Sequence, residues 1–180
     1  MDDRQLLDTI TSGDRDAFQV LVEREQTAVF RTCYRVLGRV AEAEDAAQET
    51  FVIAYRAIGT YRGEGTLGAW LGRIATRQAL RRLGQRRDGV SLDAVVGAID
   101  IAGGPDPLGA AVAAERERIV RLAVAALKDP YRETVVLRFF AELSLNEIAA
   151  ATDRPLGTVK THLRRGLARL RDLLPPEGSV

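Results

Sequence analysis

The sequence predicts an all-α protein with two small helical domains joined by a flexible linker, the second domain containing a helix-turn-helix. Three observations lead to this prediction. Apolar residues recur at three- and four-residue steps along most of the chain, a glycine- and proline-rich stretch interrupts that pattern, and a capped pair of helices is encoded near the end. We predict a first domain at residues 1–84, a linker at 85–110 and a second domain at 111–175.

The first domain opens with amphipathic helices. Leu6 and Ile10 share one helical face, and Ser12-Gly13 ends that helix. Asp14 or Asp16 can cap the helix that follows, because a carboxylate accepts hydrogen bonds from the free backbone amides of the first turn.

Two more helices complete the predicted first domain. One covers about 41–58, a glycine-punctuated loop follows over 60–66, and the helical pattern returns from Leu67 to about Leu83. The 41–58 helix carries one apolar stripe, which predicts its core-facing side. The stripe consists of Ala47, Phe51, Ala54, Tyr55 and Ile58.

The stretch from 85 to 110 has the composition of a flexible, acidic linker. Glycines and prolines cluster in it, and no lysine or arginine occurs from Asp88 to Ala114. Segments of this kind separate domains more often than they pack inside one.

The second domain carries the signature of a helix-turn-helix. Ser144 and Glu147 fit a capping box, in which each side chain bonds to the other residue's backbone amide. That helix is expected to stop at Thr152-Asp153, since aspartate tolerates the left-handed conformation. Pro155 suits the first turn of the next helix. In this motif the second helix enters the major groove of DNA, so the pattern predicts DNA binding.

The distribution of charge is more informative than its sum. Lys and Arg number 26 against 25 Asp and Glu, a formal net charge of +1. The stretch Arg73–Arg87 nevertheless contains six arginines and no acid, whereas Glu42–Glu49 contains four acids and no base. The net charge therefore says nothing about nucleic-acid binding, and only this uneven distribution can be informative.

Composition also argues against several classes of protein. One histidine, one cysteine and no glycine-rich phosphate loop leave no plausible nucleophile, metal or nucleotide site, so we expect neither an enzyme nor a cofactor. Cys33 lies among apolar residues and is interpreted as a core residue. The apolar stretches are too short for a bilayer span and the start lacks a signal peptide, which predicts a cytoplasmic protein without membrane insertion.

Three motifs together resemble the extracytoplasmic-function (ECF) sigma factors of the sigma-70 family. Ala43–Phe51 resembles the segment of sigma domain two that docks on RNA polymerase, and Trp70–Ala75 resembles the promoter-melting segment after it. Leu156–Leu163 resembles the recognition helix of sigma domain four. In this order the motifs span nearly the whole chain apart from the linker.

The resemblance implies partners and site residues. The partners would be core RNA polymerase, through its β and β′ subunits, promoter DNA and an anti-sigma factor. Polymerase would be bound by Asp45, Gln48 and Glu49. The minus-ten element would be bound by Tyr61, Arg62, Gly63, Arg73, Arg77 and Arg81. The minus-thirty-five element would be bound by Arg138, Thr158, Lys160, Thr161, His162, Arg164 and Arg165.

Three residues depart from the family pattern. Arg77 stands where asparagine is usual, Arg81 where aspartate often follows, and His162 where arginine is usual. The sequence Lys-Thr-His at 160–162 also occurs in LuxR-type regulators. A stand-alone regulator of that type is therefore the alternative function, and it would bind promoter duplex without polymerase.

Overall fold

The structure is a computed structural model, and it describes residues 2–89 and 107–175. Within those ranges every regular element is helical, which confirms the predicted fold class. The elements are α1 (Asp3–Thr11), α2 (Arg15–Leu37), α3 (Val40–Ala57), a 3₁₀ turn (Ile58–Thr60), α4 (Leu67–Gly89), α5 (Pro107–Ala126), α6 (Tyr131–Phe139), α7 (Leu145–Thr152) and α8 (Leu156–Leu173).

The predicted linker, 85–110, is described only at its two ends. Residues 85–89 are the end of α4 and residues 107–110 are the start of α5. The stretch between them, for which flexibility was predicted, lies outside the described residues.

The first domain is built around α2, α3 and α4, which pack against one another, while α1 lies on α2. Leu21 of α2 and Leu71 of α4 have no exposed surface. Cys33 is also fully buried, as the sequence predicts, and this burial raises the pKa of its thiol to about 12. A thiol in such surroundings is unreactive.

Capping residues define both ends of α2. Asp14, one of the two predicted caps, accepts from the amides of Asp16 and Ala17 at 2.9 and 3.3 Å. Gly38 ends α2 in the left-handed conformation with φ 71°, where glycine avoids the clash of a Cβ.

Helix α4 runs six residues beyond its predicted end. Leu80 and Leu83 pack against the core cluster, so the helix is anchored as far as Leu83, and it continues through Gly84 to Gly89. This tertiary contact offsets the modest cost of one glycine inside a helix.

The second domain contains the predicted helix-turn-helix as α7 and α8. The Ser144 hydroxyl accepts from the Glu147 amide at 3.2 Å, and the Glu147 carboxylate accepts from the Ser144 amide at 2.8 Å. Asp153 is left-handed with φ 53° and ends α7 as predicted. Gly166 lets α8 approach α6 closely, because a Cβ there would lie 2.9 Å from Val135 Cγ2.

Candidate polymerase and promoter interfaces

The polar face of α3 carries the three residues predicted to bind polymerase. Asp45, Gln48 and Glu49 follow three- and four-residue steps, which puts them on one side of the helix. The Asp45 side chain is 65% exposed and Gln48 is exposed, whereas Glu49 is half-buried. The structure therefore brings all three together on one accessible surface.

The carboxylates of this surface are paired with arginines of α4. Arg82 bridges Asp45 at 3.4 Å and Glu49 at 3.2 Å, and Arg81 also bonds to Glu49. Partial burial raises the pKa of Glu49, but the hydrogen bonds and charges of the two arginines outweigh it, so the pKa lies below its ordinary value. The polymerase surface and the arginine face of α4 thus share one ionic network.

An apolar groove lies beside this surface between α2 and α3. It has a volume of about 470 Å³ and is lined by Val22, Phe30, Ala47 and Phe51, with Gln48 at its edge. Sequence reasoning assigned Phe51 to the core stripe and missed the groove. The groove forms where α2 packs against α3, and a local sequence pattern does not indicate such a tertiary contact.

Tyr55 is a second departure from the predicted stripe. It is 48% exposed rather than buried, and its ring meets Phe18 edge-on at 5.0 Å. Val52 of the same helix is 49% exposed and lies four residues from Gln48. The face of α3 that carries the polymerase-binding candidates therefore includes apolar surface as well as charge.

The loop after the 3₁₀ turn holds Tyr61, Arg62 and Gly63. Tyr61 is half-buried, its hydroxyl donates to the Gly65 carbonyl at 2.9 Å, and its ring lies 5.6 Å from that of Trp70. Trp70 is partly buried and packs against the core. Arg62 and Gly63 are exposed, and Gly63 has φ 73°. Tyr61 therefore shapes the loop, and Arg62 is an exposed cation that forms no ion pair within residues 2–89 and 107–175.

The arginine face of α4 is only partly open. Arg73 is half-buried, and burial, followed by repulsion from Arg77, lowers its pKa. Arg77 pairs with Glu133 of α6 at 3.2 Å. Arg81 pairs with Glu49, as described above. Arg73 is therefore half-buried, whereas Arg77 and Arg81 are exposed and held in ion pairs.

The recognition helix α8 presents a different surface. Lys160, Arg164 and Arg165 are exposed, and within the described residues none of them forms an ion pair. Thr158 and Thr161 are half-buried beside them, and the Thr161 hydroxyl donates to the Gly157 carbonyl at 2.9 Å. The three cations are ready to meet base edges and phosphates.

Two predicted minus-thirty-five residues have partners inside the domain. His162 packs edge-on against Tyr131 with ring centres 5.7 Å apart. Burial, with repulsion from Arg154 and Arg165, lowers its pKa and keeps the imidazole neutral at pH 7. Arg138 donates to the Leu143 carbonyl at 2.9 Å and so braces the turn before α7.

Comparison with known proteins places these surfaces in a family. Residues 21–88 match the family described as Sigma-70 region 2, and residues 117–170 match Sigma-70, region 4. The chain is 36% identical over 173 residues to the ECF RNA polymerase sigma factor SigW of Bacillus subtilis, covering 92% of both proteins. The chain belongs to the ECF sigma factors.

Other relatives agree with this assignment. The sigma factor is 31% identical to the RNA polymerase sigma-H factor of Pseudomonas aeruginosa, covering 97% of this chain and 94% of that protein. Its fold matches the solved structure of CnrH in complex with the cytosolic domain of CnrY, with a TM-score of 0.63, 25% identity and coverage of 95% and 96%.

As a sigma factor, the protein binds RNA polymerase and directs promoter recognition and transcription initiation, which is not an enzymatic role. Region 2 contains the acidic face of α3 and the whole arginine face of α4, and region 4 contains α7 and α8 except for the last three residues of α8. Among the described helices, none is both long and apolar enough to cross a bilayer.

Proposed function

We propose that this sigma factor divides its work among three surfaces. The α3 face with Asp45, Gln48 and Glu49 binds core polymerase through the β′ subunit, and the second domain contacts the β subunit. The loop and α4 bind the minus-ten element, while α8 binds the minus-thirty-five element. The corresponding domains are residues 1–84 and 111–175, with 85–110 as the linker.

The observation that carries the docking proposal is the combination of charge and apolar surface on α3. Exposed Val52 and Tyr55 lie beside Asp45 and Gln48, and the Phe51 groove runs next to them. An apolar centre with a charged rim is typical of a protein interface. A face that only kept the domain in solution would not need exposed valine and tyrosine at its centre.

For the minus-ten element we propose that the Tyr61–Gly63 loop and Arg73 receive single-stranded DNA. Tyr61, Arg62, Trp70 and Arg73 line one side of a cavity of about 330 Å³, together with Glu64, and Ala150, Ala151 and Asp153 of the second domain line the other side. On the first-domain side, the aromatic rings and the two cations suit an unstacked base and its phosphates. Arg77 and Arg81 extend the cationic track along α4.

For the minus-thirty-five element we propose that Lys160, Thr161 and Arg164 approach base edges. Arg165 and Arg138 hold the DNA backbone, and Thr158 lies at the start of the helix where phosphates approach. We expect His162 to contribute least to binding of this element, because its imidazole is neutral and already packs on Tyr131.

We further propose an anti-sigma factor that covers the docking surface. The support is the family resemblance together with CnrH, whose solved structure is a complex with the cytosolic domain of CnrY. RNA polymerase and promoter DNA place the site of action in the cytoplasm.

The test is transcription by core polymerase plus this protein on genomic DNA fragments, with start sites mapped. Start sites that share upstream elements, and that vanish without the protein, would support the proposal. Tight and specific binding to promoter duplex without polymerase, and no polymerase-dependent starts, would favour the stand-alone regulator.

A further inference from the structure

The loop at 61–66, which joins the 3₁₀ turn to α4, has a backbone that its own sequence leaves free to vary. Residues 62–66 are all exposed. Gly63 and Gly65 have positive φ angles of 73° and 85°, and an ideal Cβ on Gly63 would meet nothing within 4 Å. Glycine without a Cβ permits many backbone conformations. The position of the loop therefore depends on the contacts made at its two ends.

Tyr61 holds the first end of the loop. Its amide donates to the Ile58 carbonyl at 3.1 Å, and its hydroxyl donates across the loop to the Gly65 carbonyl at 2.9 Å. Burial, followed by the negative charge of Asp3, raises the pKa of Tyr61, so the hydroxyl keeps the proton that it donates. Asp3 of α1 and Tyr61 line the same surface cleft. The loop is thus closed at its base, next to the start of α1.

Asp3 also holds the second end of the loop, although it lies 64 positions earlier in the chain. Its Oδ2 accepts from the backbone amide of Leu67, the first residue of α4, at 2.6 Å. Its Oδ1 pairs with Arg24 Nη2 at 2.7 Å, and Arg24 Nε pairs with Glu25 Oε1 at 2.8 Å. The carboxylate of Asp3 is therefore fixed on one side by α2 while it binds the start of α4 on the other.

Helix α4 already has a local cap, so the bond from Asp3 is additional. The Thr66 hydroxyl accepts from the Ala69 amide at 3.0 Å, which is the usual bond from a capping residue to the third helical residue. The helix can begin at Leu67 with this cap alone. The bond to Asp3 instead ties α1 to the junction between the loop and α4.

Helix α1 is a firm support for this bond. Leu6 and Ile10 are buried in the core of the first domain. The first turn is held by a capping box, in which the Asp2 carboxylate accepts from the Gln5 amide at 2.8 Å and the Gln5 side chain accepts from the Asp2 amide at 3.2 Å. Asp3 precedes residue 21, where the match to Sigma-70 region 2 begins. The contact with α4 thus comes from outside the matched region.

We propose that Asp3, held by Arg24, is a positioning residue for minus-ten recognition: it sets the position of the 61–66 loop relative to α4, and so the base that the loop accepts. The proposal rests on the proposed function, in which this loop and Arg73 of α4 receive single-stranded DNA. The two halves of such a site must be held within about 0.5 Å of their productive geometry by supporting contacts. Asp3 supplies one of these contacts without touching DNA itself.

The test is Asp3→Ala in the holoenzyme, on promoters that carry single base changes in the minus-ten or the minus-thirty-five element. We expect the preference at one minus-ten position to fall by about tenfold, because the loop moves relative to α4. The minus-thirty-five preference and the Kd for core polymerase should stay unchanged. Asp8→Ala is the matched control, since Asp8 is an exposed carboxylate of α1 that forms no ion pair within the described ranges. It should keep the wild-type preference.

A second control separates positioning from stability. Val29→Ala removes methyl groups from the core of the same domain, where Val29 is 2% exposed, and so lowers stability while leaving the Asp3 contacts in place. It should reduce transcription from all promoters alike and leave the minus-ten preference unchanged. In the free proteins, hydrogen exchange over residues 58–70 should be faster in Asp3→Ala than in Asp8→Ala.

Arg62→Ala, a change within the loop, distinguishes the two ways of failing. If Arg62→Ala shifts the minus-ten preference and Asp3→Ala does not, the positioning role is wrong and the proposed function stands. If neither variant shifts it, both are wrong. A uniform loss for Asp3→Ala, like that of Val29→Ala, would make Asp3 a structural cap only and would overturn the proposal.

Discussion

The two DNA-binding regions hold their cations in opposite ways. On α8, Lys160, Arg164 and Arg165 extend into solvent without ion pairs among the described residues. On α4, Arg77 is paired with Glu133 and Arg81 with Glu49. Under the proposed division of the DNA contacts, α8 presents exposed cations to duplex DNA, whereas Arg77 and Arg81 must exchange a carboxylate for a phosphate.

The two ion pairs on α4 differ in burial. The Arg81 and Glu49 side chains are 54% and 32% exposed, and ion pairs at such positions stabilise a protein by roughly 1 kcal/mol or less. The Arg77 side chain is 56% exposed, but its partner Glu133 is only 10% exposed and also pairs with Arg154 at 2.9 Å. A phosphate can therefore replace Glu49 beside Arg81 with little loss, whereas release of Arg77 leaves Glu133 dependent on Arg154.

The largest expected effect is on the affinity for core polymerase, through the charges on α3. Reversing both charges with Asp45→Lys/Glu49→Lys should raise the Kd for core polymerase by about thirtyfold or more, ~2 kcal/mol, because it removes two interface charges and leaves Arg81 and Arg82 facing new cations. Pull-down or anisotropy would measure this, with circular dichroism to check helicity. Glu23→Lys, on the exposed side of α2, is the matched control. Unchanged binding by the double variant would remove α3 from the docking surface.

The exposed cations of α8 should separate into base readers and phosphate anchors. Lys160→Ala should cost about 1–3 kcal/mol at one promoter position and relax preference there. Arg165→Ala should weaken all promoters alike and reduce the salt slope by about one. Transcription from promoters mutated base by base measures both. A uniform loss for Lys160→Ala would make it an anchor instead.

The ion pair between Glu49 and Arg81 should contribute little to the free energy of unfolding, and only while Glu49 is charged. A double-mutant cycle with Glu49→Gln and Arg81→Ala should give a coupling free energy of unfolding of about 0.5 kcal/mol at pH 7. Because the pKa of Glu49 is lowered in the folded protein, this stability is present above pH 4.5, its ordinary value, and is lost as the pH falls below it. Urea titrations at several pH values measure it, and a coupling that persists when Glu49 is protonated would contradict the ionic origin.

The smallest effect concerns His162. Its lowered pKa means that protonation opposes folding, so the wild type should lose stability as the pH falls below 6.5, whereas His162→Gln should not show this slope. Promoter preference should change little, because the ring packs on Tyr131. A large change in minus-thirty-five preference for His162→Gln would instead make it a base reader.

Local signals predicted most of the fold. The Asp14 cap and the Ser144–Glu147 capping box depend on residues within three positions, and both are present in the structure. The side-chain contacts of the sites depend on distant residues instead. Nothing near Glu49 in the sequence indicates Arg81, and nothing near Arg77 indicates Glu133.

The dependence on distant residues also explains why the expected burial of Tyr55 is wrong and why the sequence did not indicate the packing of His162. A stripe at helical spacing does not show how completely the neighbouring helix covers each side chain, and Tyr55 stays 48% exposed although its ring meets Phe18 of α2. The resemblance implies that His162 contacts DNA, and the local sequence does not show that Gly166 brings α8 close enough to α6 for the ring to reach Tyr131.

Site-specific photo-cross-linking in the open complex tests the division of labour most directly. Benzoyl-phenylalanine would replace Val52, Tyr61 or Arg164, one at a time, in protein bound to core polymerase and a mapped promoter. We expect position 52 to cross-link to polymerase, position 61 to the non-template strand at the minus-ten element, and position 164 to duplex at the minus-thirty-five element. Cross-links from position 61 to upstream duplex, or from position 52 to DNA, would contradict this division.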